Sequence, residues 1–99
     1  MHDFFIIIPP QVVFNEELNF TEKALYGVIY GLSQRNGYCF ASNEYLANVI
    51  SLDIRSLQRY LANLEKVNLI TREKDEKGKR HIRIAYLPQE GVTKMPGVS

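Results

Sequence analysis

The stretch SLDIRSLQRYLANLEKVNLI, which covers Ser51–Ile70, places apolar side chains three or four positions apart. These side chains are Ile54, Leu57, Leu61, Leu64 and Val67. The spacing brings them to one face of an α-helix, so we predict a helix over residues 54–67. Asp53 immediately precedes this helix, where its carboxylate can accept the free backbone N–H groups of the first turn.

The outward positions of this helix carry positive charge and polar groups, with no carboxylate before Glu65. They are Arg55, Ser56, Gln58, Arg59 and Asn63. A solvated helix face usually mixes both signs of charge. A face without negative charge suits an anionic partner, because carboxylates would repel such a partner.

The net charge of +1 hides an uneven distribution along the chain. Residues 1–50 hold five carboxylates and two cations, a net charge of −3. Residues 51–83 hold nine Lys or Arg and five carboxylates, a net charge of +4. Positive charge is therefore concentrated in the segment that begins with the predicted helix. This asymmetry indicates an anionic partner or, alternatively, an ordinary solvated surface.

Length and composition are those of one globular domain. The 99 residues suffice for a single modest core, and the hydrophobic fraction of 45% is ordinary. No apolar run approaches about 20 residues, so we predict no membrane span. The run FFIII at residues 4–8 is too short for the core of a signal peptide. The single cysteine, Cys39, excludes an internal disulfide framework and favours a cytoplasmic location.

The sequence offers little for catalysis or metal binding. Cys39, His2 and His81 are too few and too scattered for a zinc site, and we interpret Cys39 as a small buried apolar residue. The chain has neither a Gly-rich phosphate loop nor a recognisable Ser/His/Asp spacing. The pair Glu16 and Glu17 is interpreted as part of a solvated connector. We therefore predict a protein that is not an enzyme and that uses no cofactor and no metal.

A first helix is predicted from Asn19 to about Gln34. Asn19 is followed three residues later by Glu22, which is the spacing of a capping box. The apolar ridge of this helix is Phe20, Ala24, Val28 and Leu32, widened by Leu25 and Ile29. Gly27 and Gly31 lie four positions apart and would allow a close packing contact.

The N-terminal segment Asp3–Ile8 is continuously apolar and is stopped by two prolines. It is predicted to be a buried strand or an extended packing arm. Residues 11–18 are interpreted as a connector. Two uses are open for Tyr26 and Tyr30 of the first helix: contact in a homodimer, or packing against the N-terminal arm, which we favour.

Residues 44–50 predict a second, short helix, capped by Ser42 or Asn43. Only Ser51 and Leu52 separate it from the residue that caps the next helix. A short helix, a tight turn and a longer capped helix form a helix-turn-helix.

The sequence pattern changes to strand-like alternation after Asn68. Residues 69–74 and 81–87 are extended, and the polar turn 75–79 between them contains Gly. We predict an α+β, mainly α fold: a winged helix-turn-helix of three helices plus a C-terminal β-hairpin wing, with an extra N-terminal strand or arm. We expect the domain to cover residues 1–87 and residues 88–99 to form a linker or flexible tail. The predicted core is Leu25, Val28, Leu46, Leu57, Leu61, Leu64, Ile70 and Ile84.

This geometry gives the polar helix face a function. The second helix of a helix-turn-helix enters the DNA major groove, where Arg pairs with guanine and Gln or Asn pairs with adenine. Basic residues of the wing can reach phosphates beside the groove. The predicted contacts to double-stranded DNA are Ser42, Asn43, Arg55, Ser56, Gln58, Arg59, Asn63, Lys74, Lys77, Lys79 and Arg80.

Three stretches carry a resemblance to a known family: FFIIIPPQVVFNEELNFTEKALYGVIYGL, GYCFASNEYLANVISLDIRSLQRYLANLEKVNLI and the hairpin that follows. They resemble the N-terminal winged-helix domain of replication initiators and replisome organisers of phages and plasmids of Gram-positive bacteria. The most specific local match is GYCFASN, Gly37–Asn43. In the wider helix-turn-helix families, positions equivalent to Arg55, Ser56 and Arg59 face DNA.

The resemblance implies sequence-specific DNA binding in replication initiation of a plasmid, phage or other mobile element. Full-length initiators carry a further C-terminal domain, so replisome proteins are implied partners, and the chain being a fragment stays open. A transcriptional regulator and a protein-interaction module remain alternatives with the same fold. Two positions depart from the pattern, because Ser51 and Asn68 stand where the family usually has Gly.

Overall fold

The computed structural model describes residues 5–85 of the chain. Its elements are α1 (Pro10–Val13), α2 (Phe20–Ser33), α3 (Asn43–Val49), α4 (Ile54–Lys66), β1 (Ile70–Lys74) and β2 (Arg80–Ile84). The two strands pair antiparallel, from Ile70 opposite Ile84 to Lys74 opposite Arg80. This mainly helical α+β architecture confirms the predicted winged helix-turn-helix. The start of the predicted arm, the end of the predicted hairpin and the predicted tail lie outside the described residues.

The helix α1 corrects the sequence analysis, which predicted a connector over residues 11–18 and three helices in all. Pro10 occupies its first position, where a fixed φ suits a helix and a missing N–H costs no hydrogen bond. The helix is only 4 residues long, too short to show a helical period in the sequence. It buries Val12 in the core.

The described part of the N-terminal segment is an extended arm and contains no strand. The Ile7 N–H donates to the carbonyl of Gly27 at 3.1 Å. A Cβ atom at Gly27 would lie 2.7 Å from side-chain atoms of both Ile6 and Ile8. The absence of a Cβ at this position therefore allows the arm to pack closely against α2. Of the two predicted alternatives, the described residues fit the extended packing arm and not the buried strand, since Phe5 is 82% exposed.

The core forms where α2, α3, α4 and the hairpin meet. Its fully buried members include seven of the predicted residues: Leu25, Val28, Leu46, Leu57, Leu61, Leu64 and Ile70. Ile84 is only partly buried, and Ile82 is the fully buried residue of β2. Tyr26 is also fully buried, which argues against its use as a dimer contact.

Phe20 is a correction to the predicted apolar ridge of the first helix. This side chain is 79% exposed, although the sequence analysis placed it on the apolar ridge of the first helix. Phe20 is the first residue of α2 and directly follows the exposed cap Asn19. The ridge therefore meets the core only from the second turn of α2 onward.

Two non-glycine residues adopt the left-handed backbone conformation, one after each helix of the helix-turn-helix pair. Ser51, in the turn, has φ 58°, and Asn68, after α4, has φ 65°. Both stand at the positions where glycine was expected. Asn tolerates this conformation well, whereas Ser at φ above zero costs on the order of 1 kcal/mol. The turn is held by the Leu52 N–H, which donates to the Ala47 carbonyl at 2.8 Å.

Cys39 joins the wing to the helical core. Its N–H donates to the Ile82 carbonyl and its carbonyl accepts from the Ile82 N–H, both at 2.8 Å. The residue is buried with a free thiol, which confirms its interpretation as a small apolar residue. Burial raises the pKa of the Cys39 thiol, which keeps it in the neutral form.

The position of α4 rests on its leucines, which gives a test of the core. Leu61→Ala removes a fully buried side chain and should lower the free energy of unfolding by about 2–5 kcal/mol. The matched control is Gln58→Ala, an exposed position of the same helix, with an expected change within about 0.5 kcal/mol. Urea denaturation followed by circular dichroism measures both values. Equal effects of the two substitutions would contradict the described packing of α4.

Candidate nucleic-acid interface

The helix-turn-helix pair is fixed by side-chain caps at both of its N-termini. The Ser42 hydroxyl accepts from the Tyr45 N–H at 3.0 Å and begins α3. The Asp53 carboxylate accepts from the Ser56 N–H at 2.6 Å and begins α4. This backbone hydrogen bond is the main cause that lowers the pKa of the Asp53 carboxyl, and the nearby arginines lower it further.

The exposed face of α4 is a stripe of cationic and neutral side chains. Arg55, Gln58 and Arg59 are exposed, and Ser56 is half-buried. The guanidinium of Arg59 lies 5.2 Å from the ring centroid of its neighbour Tyr60. Among residues 5–85, no hydrogen bond or ion pair engages the guanidinium groups of Arg55 and Arg59. Both cations are therefore available to a ligand.

Two further residues of this stripe were missed by the sequence analysis. Ala62 and Lys66 are exposed and continue the spacing of three and four positions from Arg59. The signal was present in the sequence, because helical periodicity alone places them on the stripe. The small side chain of Ala62 leaves room for close approach, and Lys66 adds a cation at the far end.

Asn63 does not face outward, which corrects the prediction. Its Nδ2 donates to Oε2 of Glu22 at 2.7 Å. Glu22 is only 6% exposed, and its Oε1 also accepts from the Asn19 N–H at 2.9 Å, which completes the capping box of α2. Asn63 thus satisfies a buried carboxylate and ties α4 to the start of α2. The side-chain amide of Asn63 is therefore not part of the exposed stripe of α4.

The wing turn is organised by one carboxylate. Oδ1 of Asp75 accepts from the backbone N–H groups of Lys77 and Lys79 at 2.8 and 2.9 Å. Gly78 takes φ 81° between them. The Lys79 hydrogen bond is the main cause that lowers the pKa of the Asp75 carboxyl. With its backbone held in this way, the turn leaves the lysine side chains outward: Lys74, Lys77 and Lys79 are exposed.

The arginines of the wing differ in their partners. Arg72 pairs with Glu65 of α4 at 2.7 Å, and Arg83 pairs with Glu73 inside the hairpin at 2.7 Å. The half-buried Arg80 instead donates to Oδ1 of Asn43 and to the Ala41 carbonyl, the latter at 2.8 Å. Desolvation is the main cause that lowers the pKa of Arg80. Two of these three cations are therefore already neutralised by carboxylates.

The sequence-predicted site residues thus fall into three groups. Arg55, Ser56, Gln58 and Arg59 form the stripe on α4, and Lys74, Lys77 and Lys79 surround the wing turn. Ser42, Asn43 and Arg80 meet where the wing approaches the start of α3. Asn63 stands apart, on the side of α4 that contacts α2. The arrangement can bind an extended polyanion, since cations lie on two separate elements that the fold holds together.

The described part of the chain shows neither a metal-binding cluster nor a membrane-spanning helix. Residues 5–85 contain no cluster of three or more His, Cys, Asp or Glu side chains suited to a metal ion. None of the helices described there has the length and apolarity needed to cross a bilayer.

Comparison with known protein families places part of the chain in a described family. A family model described as a helix-turn-helix domain matches residues 16–70, which is more than half of the chain. No curated protein and no solved structure shows a significant match. The matched residues run from the connector before α2 to the first residue of β1, so the arm and most of the wing lie outside the match.

The correction at Asn63 predicts a stability effect. Asn63→Ala leaves a buried carboxylate oxygen of Glu22 without its donor and should lower the free energy of unfolding by about 1–3 kcal/mol. Asn48→Ala, the same change at an exposed position of α3, is the control and should have little effect. Thermal and urea unfolding measure both. If Asn63→Ala and Asn48→Ala had the same free energy of unfolding, the hydrogen bond to Glu22 would not contribute to stability.

The cap of α4 predicts a pH dependence. The folded-state pKa of Asp53 lies below its unfolded value, so its contribution to stability is present above the unfolded pKa and is lost as pH falls through the folded pKa. Asp53→Ser retains a capping oxygen that does not ionise. Between about pH 5 and pH 3, the wild type should therefore lose more stability than this variant. Urea unfolding at several pH values compares them, and parallel pH profiles would contradict the prediction.

Proposed function

Because the chain belongs to the helix-turn-helix domain family, we propose that it binds double-stranded DNA in a sequence-specific manner in replication initiation of a plasmid, phage or other mobile element. The observation that carries the DNA-binding part is the exposed stripe of α4. It presents Arg55, Gln58, Arg59 and Lys66, and the nearby carboxylate of Glu65 is paired with Arg72 of the wing. Helix-turn-helix domains insert the second helix of the pair into the major groove. In this chain that helix is α4.

Base reading is assigned to the middle of the stripe. Arg59 can donate two hydrogen bonds to guanine, and Gln58 can pair with adenine. Arg55 lies in the first turn of α4, closer to the DNA backbone, and is assigned to a phosphate, with the Ser56 hydroxyl beside it. Ala62 allows the helix to approach the groove closely. This division makes Arg59 the main carrier of sequence preference.

Phosphate binding is assigned to the wing and to the start of α3. Lys74, Lys77 and Lys79 are exposed around a turn that Asp75 holds in place. Ser42 and Asn43 lie at the N-terminus of α3, where helices of this kind contact the backbone beside the groove. Contacts of this type fix orientation and supply affinity without reading sequence.

The replication role has narrower support, which is the resemblance of three stretches of the sequence to initiators of mobile elements. The helix-turn-helix family is equally compatible with transcriptional regulation. We propose residues 1–87 as the DNA-binding unit and residues 88–99 as a linker. In this role, replisome proteins would be partners through a further C-terminal domain, and a second copy of the chain would be a partner on a repeated site.

Two substitutions separate base reading from phosphate binding. Arg59→Ala should cost about 1–3 kcal/mol in binding free energy and relax the preference at one base pair, because a bidentate guanine contact is lost. Lys77→Ala should weaken all sequences alike and reduce the slope of log K against log salt by about one unit. Fluorescence anisotropy with a site selected from a random library, and with its single-base variants, measures both effects.

Arg35→Ala is the control, because this exposed arginine lies in the turn after α2, outside the proposed surface. It should leave sequence preference unchanged. A uniform loss of affinity in Arg59→Ala, the same for every site variant, would reduce α4 to an electrostatic anchor. Absence of wild-type binding at low salt would favour the protein-interaction alternative.

Replication and transcription are separated in the cell. The gene that encodes the Arg59→Ala variant replaces the wild-type gene in a plasmid or phage element. This element must depend on its own replication region for maintenance. A replication role predicts loss of the element and rescue by wild-type protein supplied from a second plasmid. Stable maintenance with altered expression of neighbouring genes would instead support transcriptional regulation.

A further inference from the structure

We propose that Arg80 is a positioning residue that fixes the wing against the helix-turn-helix, and that this contact sets the spacing between wing and α4 on DNA. The inference rests on the proposed DNA-binding function. It also revises the role expected of Arg80 from the sequence, which was a phosphate contact.

The position of Arg80 in the hairpin suits this role. It pairs with Lys74 at the last step of the ladder before the wing turn. Nearer the core, the hairpin is already held at Ile82, which pairs with Cys39. Arg80 therefore adds an attachment two residues closer to the tip, at the point where the wing would otherwise leave the helical domain.

The guanidinium is committed to the protein on the side that faces α3. It donates to Oδ1 of Asn43, the first residue of α3, and to the carbonyl of Ala41, just before the cap Ser42. Through these hydrogen bonds, one side chain of β2 binds both the first residue of α3 and the segment that precedes this helix. Bonds from a planar guanidinium fork fix direction as well as distance.

The chemistry of the contact also determines the orientation of Asn43. A guanidinium has donors and no acceptor, so the amide atom that faces it must be the oxygen. The two N–H donors of the Asn43 amide are thereby left for another acceptor. A phosphate could accept from one of these donors, in keeping with the phosphate contact proposed for Asn43.

The other wing arginines show why Arg80 is distinctive. Arg72 and Arg83 each pair with a carboxylate, and Arg83 and its partner Glu73 lie in the same hairpin. Arg80 bridges from the hairpin to α3 with neutral acceptors only. The guanidinium of Arg80 therefore holds the wing through hydrogen bonds to neutral groups and not through an ion pair.

Arg80→Lys tests positioning, because it keeps the charge and loses the planar fork. The matched control is Arg83→Lys, the same change on the same strand, at a residue outside the proposed DNA surface. For Arg80→Lys we expect weaker DNA binding and a salt slope reduced by about two to three units, since three displaced lysines would each contribute about 0.9. For Arg83→Lys we expect an unchanged slope.

A measurement without DNA separates failure of this inference from failure of the proposed function. Residual dipolar couplings report the orientation of the wing N–H bonds relative to α3 and α4. Reoriented or averaged wing couplings in Arg80→Lys and in Asn43→Ala, with α4 couplings unchanged, support positioning even if the wild type fails to bind DNA. Unchanged wing couplings in both variants overturn it.

The phosphate-contact alternative has its own signature. It requires Arg80→Lys to retain the wild-type salt slope, whereas Arg80→Ala would lower it by about one unit. That pattern, with wild-type DNA binding intact, overturns the positioning role and leaves the proposed function standing. Circular dichroism melts confirm that each variant is folded before these comparisons are made.

Discussion

Burial of the leucine stripe of α4 is the constraint on which the rest of the molecule depends. Leu57, Leu61 and Leu64 are fully buried, so the helix has one permitted rotation about its axis. That rotation leaves Arg55 and Arg59 outside. A turn of the helix by one position would bring polar side chains such as Gln58 and Glu65 into the core in place of leucines, and burying them without partners is costly. Core packing and the chemistry of the outer surface are therefore two results of one periodicity.

Features that depend on neighbouring residues could be predicted from the sequence. The caps at Asn19 and Asp53 follow from spacing within one helical turn, and the hairpin follows from alternation around a polar turn. The helix α1 could not be predicted, because a single turn leaves no period. The partner of Asn63 could not be predicted either, since Glu22 lies 41 residues earlier in the chain and only the packing of α4 on α2 brings them together.

The candidate site, like the fold, could be predicted from the sequence only in part. The sequence identifies which residues are cationic, and helical spacing identifies which of them lie on the outer stripe of α4. It does not show which cations already have partners inside the protein. Arg72 and Arg83 are neutralised by carboxylates, and Arg80 is bound by neutral acceptors. These pairings arise from strand register and from the approach of the wing to α3, both of which are tertiary features.

The contact at Gly27 has a consequence for the comparison of related proteins. Its missing Cβ is what allows Ile6 and Ile8 to lie across α2. A homologue with alanine or a larger residue at this position must carry its N-terminal segment along another path, even if its helix-turn-helix is unchanged. One position inside a helix thus works as a diagnostic marker for a feature some twenty residues away. Glycine at this position distinguishes relatives whose N-terminal arm can pack on α2 from relatives in which another segment must cover this surface of the helix.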